Sequence, residues 1–96
     1  MSAEEIRVGV IGTGARGRYL STCYQKVGGC RIVALCDAFE YQVQQAVAML
    51  NDASVTCCTD HRRLLDDPSV DAVFICVAPH HNAALVCEAL EAGKHV

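Results

Sequence analysis

Three glycines and one carboxylate have the types and spacing to do chemistry: Gly12, Gly14 and Gly17, followed by Asp37 twenty positions after the last glycine. An apolar strand, Val8-Gly9-Val10-Ile11, runs straight into Gly12-Thr13-Gly14-Ala15-Arg16-Gly17. This layout suits a turn that holds the pyrophosphate of a dinucleotide. Gly12 permits the tight strand-to-helix turn. Gly14 lets phosphate oxygens approach the backbone with no Cβ in the way, and Gly17 lets the following helix pack close to the strand. The helix start then offers free N–H groups and the positive end of its dipole to the anion. Asp37, at the end of a second strand, is placed to accept hydrogen bonds from a ribose; the alternative is a cap for the helix that starts near Phe39. Arg16 either covers the pyrophosphate or pairs with a surface carboxylate.

A glycine turn by itself is weak, because such turns also serve purely structural ends. The elements around it supply the specificity. Ile6 to Ile11 is rich in β-branched residues, as a strand buried on both faces should be. Residues 18 to 27 form a helix that places Leu20, Cys23, Tyr24 and Val27 on one face. Arg31 to Cys36 is a second strand. Phe39 to Asn51 is a helix with Val43, Val47 and Leu50 inward. Val55 to Cys58 is a short third strand, and Asp60 to Asp66 a short helix capped by Asp60. Val70 to Val77 is a fourth strand. A helix from Pro79 to about Ala92 turns Ala83, Val86, Leu90 and their neighbours to the sheet, with Gly93 as the residue just past its end. Lys94-His95-Val96 begins a fifth strand. Strands alternating with helices mean a mostly parallel sheet.

Composition narrows the field. Ninety-six residues make one small domain, residues 1–96, and 52% hydrophobic with 20% charged residues makes it globular. The formal charge of −3 and the lack of any Lys/Arg run longer than Arg62-Arg63 argue against a nucleic-acid partner. No apolar run approaches membrane-spanning length. The acidic start, Met1 to Glu5, fits no signal peptide, so a cytoplasmic location is expected. Seven cysteines are an odd number with no CxxC pair. Several fall inside apolar segments, so they read as small buried hydrophobes in a reducing compartment, and no metal site is expected.

The order Val8 to Gly14, Val33-Ala34-Leu35-Cys36-Asp37, Leu64 to Val73 and Ala89-Leu90-Glu91-Ala92-Gly93-Lys94-His95-Val96 resembles the Gfo/Idh/MocA oxidoreductase family, over essentially the whole chain. The resemblance implies an α/β, doubly wound parallel sheet of the Rossmann type, incomplete here, with about four strands and the start of a fifth. It implies that Gly12, Thr13, Gly14, Ala15 and Arg16 lie along the pyrophosphate and that Asp37 holds the adenosine ribose. Cys76, Val77, Ala78, Pro79 and His80 would line the cofactor after the fourth strand. The family often has Thr-Pro-x-x-x-His there, where this sequence has Val77-Ala78-Pro79-His80-His81-Asn82. His80 and His81 have the plainer reading of exposed helix-start residues. In the family the terminal segment leads into a Glu-Lys-Pro motif whose lysine is catalytic, so residues 1–96 contain no counterpart of the catalytic groups.

The expected function is therefore the NAD-binding portion of an oxidoreductase that transfers hydride to or from a sugar, cyclitol or related polyol, inactive as this chain alone. The chain reads as one mononucleotide-binding half plus the entry to the next unit. It is either a piece of a longer protein or a chain that completes itself by self-association, in the simplest case as a dimer. NAD is expected in preference to NADP, because a 2′-phosphate would meet the Asp37 carboxylate and neither Ala38 nor Phe39 offsets it. A non-catalytic nucleotide-binding fragment is the alternative. A methyltransferase, which also uses a glycine loop and an acidic residue after the second strand, is disfavoured by Gly17 and the terminal segment.

Overall fold

A computed structural model describes residues 5–96; the acidic stretch at 1–4, read above as no signal peptide, lies outside the described residues. Four strands and four helices alternate: β1 (Ile6–Ile11), α1 (Ala15–Gln25), β2 (Cys30–Cys36), α2 (Glu40–Leu50), β3 (Thr56–Cys58), α3 (His61–Leu65), β4 (Ala72–Ile75) and α4 (Pro79–Glu91). The strands form one parallel sheet in the order β3-β2-β1-β4. The expected α/β fold is the observed one. Beyond β4, His95 makes an isolated parallel bridge to Ala72, the start of the expected fifth strand.

Period-2 alternation splits the core into two layers, one on each face of the sheet. Val10, Ile32 and Leu35 pack with Val43, Ala46 and Leu50 of α2. Ile11, Ala34 and Cys36 pack with Leu64 and Leu65 of α3 and Leu85 and Ala89 of α4. The two central strands are buried on both sides, which is why their sequences are nearly continuous apolar runs. Pairing between β1 and β2 is not uniform. Val8 pairs with Ile32 but Gly9 pairs with Ala34, so Val33 is an extra residue in β2, a bulge.

Local chemistry sets the element ends. Asp60 accepts a hydrogen bond from the Arg62 N–H (3.0 Å) and caps α3, as its sequence position predicts. Asn51 closes α2 in the left-handed region (φ 54°), a conformation asparagine tolerates, and its N–H donates to the Val47 carbonyl at 2.9 Å. Pro79 takes the first position of α4, where no N–H is missed. Gly93 (φ +80°) follows its end, and the Lys94 N–H donates back to the Ala89 carbonyl at 3.1 Å.

Two helix faces differ from the sequence expectation. On α1 the buried residues are Gly17 and Ser21, not Leu20, Cys23, Tyr24 and Val27. The helix lies too close to the sheet for large side chains: Ser21 turns its hydroxyl onto the Gly17 carbonyl (2.7 Å), and Tyr24 reaches the core only at its edge, ring against Phe74 (5.0 Å). Val27 lies past the helix end and is exposed. On α4 the buried pair is Leu85 and Ala89, while Ala83 and Leu90 face outward. The apolar residues at 83, 86 and 90 share a helical stripe, but α4 is rotated so that the neighbouring 85/89 stripe meets the sheet. The cysteine expectation holds fully for Cys36 alone; the others are half-buried or, at Cys57 and Cys87, exposed.

At the amino ends of the strands, opposite the glycine turn, Asp71 accepts from the Arg7 backbone N–H (2.9 Å), Nε (3.1 Å) and Nη2 (3.0 Å). These bonds hold its carboxyl at about 2 against an ordinary 3.8. Because the folded value is depressed, the stabilisation is complete above pH ~4 and is lost as pH falls from there towards 2. Asp52 and Asp67 are also lowered, each by its serine neighbour, and add to the same acid limb. Acid titration of stability should therefore be shallower for Asp71→Asn than for the wild type, with the curves converging near pH 2. Parallel curves from neutral pH to 2 would show that the pair contributes nothing.

Candidate functional site

Gly12 is the pivot between β1 and α1. Its N–H donates to the Cys36 carbonyl of β2 (2.8 Å), while the Cys76 N–H after β4 donates to Ile11 (2.8 Å). Its φ of +99° is strained for any residue with a side chain, and a Cβ there would run into the Cys76 carbonyl. Gly17 is excluded from change on the other side, because its Cβ would strike the Gly12 carbonyl. Gly14 is different. It sits at the N-cap of α1 with φ −64°, a value any residue adopts, and a Cβ would meet only Gln42, at 3.8 Å. The fold does not require glycine at 14; the space it leaves lies over the start of α1.

That helix start is well suited to an anion. The helical ladder begins with the Arg18 N–H on the Gly14 carbonyl (2.9 Å), and Gly14 brings no side-chain cap. The N–H groups of the first turn thus lack helical acceptors and aim outward with the dipole. Thr13 is wholly buried, and its hydroxyl has no partner among the described residues. Arg18 fastens the turn, Nη1 donating to the Thr13 carbonyl (3.0 Å) and to Gln42 Oε1 (2.5 Å).

Asp37 ties the two loops together. Oδ2 accepts from the Thr13 N–H (2.8 Å) and Oδ1 from the Phe39 N–H (2.9 Å). Asp37 is thus not a cap of α2: Phe39 is the N-cap, without a side-chain cap bond, and Asp37 closes an Asx turn onto its N–H. A carboxylate offers about four acceptor positions, so two remain for hydroxyl donors.

These residues frame a cleft of about 520 Å³ at the carboxyl ends of the strands, where parallel sheets bind ligands. Of the residues picked from sequence, Gly12, Gly14, Asp37, Cys76, Val77 and Ala78 line it. Thr13 lies beneath the turn; Ala15 and Arg16 are exposed on the first turn of α1, and Pro79 and His80 on that of α4. The His80 ring lies tilted against that of His81 (centroids 3.9 Å, interplanar angle 48°), and it is His81 that lines the cleft. Arg16 makes no ion pair among the described residues.

Sequence reading missed the far wall. Phe39, Gln42, Thr59, His61 and Glu88 also line the cleft, and His61 Nε2 lies 2.8 Å from Glu88 Oε2. Thr59 and His61 follow the carboxyl end of β3, and that position was the available signal. Glu88 shares a helical stripe with His81, Ala84 and Leu85, all in the lining, but nothing local in the sequence marks that stripe. Among the described residues no group of three or more His, Cys, Asp or Glu could hold a metal ion, and no helix is long and apolar enough to cross a membrane.

A parallel sheet covered on both faces, with a glycine turn feeding a helix at the crevice and an acid at the end of the next strand, defines a dinucleotide-binding Rossmann unit. Comparison with known proteins agrees. The family described as "Oxidoreductase family, NAD-binding Rossmann fold" matches residues 6–96, and the chain belongs to this Gfo/Idh/MocA family. Its cofactor class is a nicotinamide dinucleotide. Inositol 2-dehydrogenase 1 of Saccharopolyspora erythraea is 37% identical over 92 residues, covering 95% of this chain and 27% of that protein. Glycosyl hydrolase family 109 protein 1 of Bacteroides thetaiotaomicron is 32% identical over 100 residues, covering 97% of this chain and 21% of that protein. The structure of myo-inositol dehydrogenase from Lactobacillus casei in complex with NAD(H) and myo-inositol superposes with a TM-score of 0.86 at 33% identity, covering 93% of this chain and 26% of that one. The chain thus spans about a quarter of the length of these relatives.

The glycines separate by role. Gly17→Ala should destabilise the chain by roughly 1–3 kcal/mol through backbone overpacking. Gly14→Ala should leave stability within ~1 kcal/mol, since reduced unfolded-state freedom offsets a poorer cap. It should nevertheless weaken dinucleotide binding about tenfold or more. Chemical denaturation and titration calorimetry on both variants check this; unchanged affinity in Gly14→Ala would remove the turn from the binding site.

Proposed function

We propose that residues 1–96 hold NAD for an oxidoreductase that exchanges hydride with a sugar, cyclitol or related polyol. One observation carries the reading: the open start of α1 at Gly14 and the Asp37 carboxylate are locked together at one sheet edge by the 2.8 Å bond from Thr13. Pyrophosphate and ribose recognition are thereby built as one rigid piece. The names of the inositol dehydrogenases among the relatives support the substrate class.

In this reading the first-turn N–H groups of α1 bind the pyrophosphate, and the missing Cβ of Gly14 allows the approach. Asp37 accepts from the ribose hydroxyls with its two remaining acceptor positions. Cys76, Val77 and Ala78 form the wall that keeps water from the cofactor's reactive half. When bound, the nicotinamide ring supplies hydride acceptance and donation. Acid–base help at the substrate hydroxyl comes from outside residues 1–96, so this chain alone does not turn over. The hydrolase among the relatives shares the same unit, which fits a cofactor module whose substrate chemistry lies elsewhere in the longer proteins.

The discrimination between cofactors follows from charge. A 2′-phosphate at Asp37 would put like charges at about 4 Å, a cost of roughly 1–4 kcal/mol. Direct titration should show NAD binding tighter than NADP, and Asp37→Ala should narrow the gap. Equal or tighter NADP binding would defeat the NAD assignment. S-adenosylmethionine binding in place of NAD would favour the methyltransferase alternative. Cofactor reduction by the purified chain with myo-inositol would show that the chemistry lies within these residues after all.

A second reading concerns the free chain's assembly. Among the described residues, the partner of β4 outside β1 is the bridge at His95, and Leu90 and Val96 are exposed nearby in the sequence. We infer that a second copy pairs along this edge, as unpaired strand edges recruit strands. Light scattering over a concentration series should give a mass approaching twice 10.3 kDa; a monodisperse monomer at high concentration would exclude the pairing.

A further inference from the structure

Cys36 and Cys58 are the last residues of β2 and β3 and are direct partners in the parallel register. Partners on neighbouring strands point to the same face, and both thiols belong to the layer containing Ile11 and Leu64. The Cys58 thiol leans across β2, its sulfur 3.8 Å from the Leu35 carbonyl oxygen, against the Leu35–Cys36 peptide. Adjacent strands run about 4.8 Å apart, inside the roughly 4.4–6.8 Å Cα separation that a disulfide spans. Two other thiols on the sheet are excluded by the same geometry. Cys57 alternates to the opposite face. Cys76 follows β4, with β1 between it and Cys36, about two strand spacings away.

The two thiols also open onto different spaces. Cys36 is buried and lines the cofactor cleft. Cys58 lines a second hollow of about 230 Å³ that it shares with Glu40, Cys57, Thr59 and Arg63. One thiol is thus reachable by a small anionic oxidant while its partner lies under the binding site. We propose that Cys36 and Cys58 are a modification site, a reversible disulfide formed by exchange with a low-molecular-weight disulfide such as glutathione disulfide, and that the bond weakens dinucleotide binding. The effect on binding rests on the NAD-binding reading; formation of the bond does not.

The exchange balances. The Cys58 thiolate attacks one sulfur of glutathione disulfide, forming a mixed disulfide and releasing one glutathione thiolate. Cys36 then gives up its proton and attacks the Cys58 sulfur. The protein disulfide forms, the mixed bond breaks and the second glutathione leaves. The two protons lost by the cysteines end on the two glutathiones, and two electrons pass from the protein sulfurs to the glutathione sulfurs. Burial, reinforced by Cys58 beside it, pushes the Cys36 thiol up, so Cys58 is the attacking thiol and Cys36 the slow resolving one. The bond would set the two Cβ atoms about 3.8 Å apart, against the roughly 4.8 Å spacing of adjacent strands, which strains it and keeps it reducible. The strain falls on the neighbouring peptide: the Asp37 N–H donates to the Cys58 carbonyl at 3.3 Å, so closing the bridge shifts Asp37.

The test incubates the reduced chain with excess glutathione disulfide, alkylates it and maps the digest by mass spectrometry, with NAD titration of the same samples. A Cys36–Cys58 linked peptide is expected. The Kd for NAD should rise at least tenfold and return to its starting value on reduction with dithiothreitol. In Cys58→Ser, Cys36 should stay free and NAD affinity should no longer respond to glutathione disulfide. Two alkylated cysteines at 36 and 58, or a bond at another pair, would overturn the site. A Cys36–Cys58 bond with unchanged Kd would overturn its effect. A reduced chain that binds no NAD would overturn the effect along with the function reading, while the peptide map still decides the site.

Discussion

The structure depends on one close approach of backbone to backbone. At the crossing of β1, α1 and the segment after β4, the Gly12 carbonyl, the Gly17 Cα and the Cys76 carbonyl occupy space that any Cβ would claim. With side chains gone from that spot, α1 sinks onto the sheet, its dipole end is brought over the strand ends, and the β4 segment forms the opposite wall. The cleft is what this contact leaves open. The cost is an interface on α1 built from Gly17 and Ser21, which buries little apolar area. The larger side chains of α2, α3 and α4 carry the hydrophobic stabilisation instead.

Asp37 is the second point at which fold and binding share atoms. It satisfies two backbone N–H groups, one from each loop, at the mouth of the cleft. A carboxylate used this way fixes geometry before any ligand arrives, so little ordering is left to be done on binding. It also sets the sign of the local field, positive at the start of α1 and negative at the end of β2, a pattern that matches a ligand with phosphates at one point and neutral hydroxyls at another.

The parts of this arrangement written in sequence are those with local signatures. The glycine spacing after an apolar strand, the capping Asp60, the proline opening α4 and Gly93 closing it each act through neighbours a few residues away, and each is where the sequence puts it. The ends of β3 and β4 fell short of the expected spans because chain direction there is set by turns: the Val70 N–H, for instance, is taken by the Asp67 carbonyl rather than by a strand. The facing of α1 and α4 was illegible for a different reason. Apolar stripes at 20/23/24/27 and 83/86/90 exist, but which stripe meets the sheet is decided by distance to the sheet, which no helix encodes alone. The far wall, Phe39, Gln42, His61 and Glu88, is assembled from three helices and the loops before them, and only the topology brings it together.

The bulge at Val33 acts as a phase shifter. Up to Val8 and Ile32 the two central strands advance in step; beyond it β2 is one residue ahead, so that Gly12 comes level with Asp37. Because side chains alternate, a β2 that kept Val33 but paired without the bulge would bring Cys36 level with Gly12 and send the acid to the opposite layer. The bulge therefore absorbs one residue and keeps the acid in phase with the turn. Loss of Val33 would straighten the strand and leave Asp37 level with Gly12, whereas one more residue with no bulge to absorb it would carry the acid past the turn and change which chemistry meets the ligand.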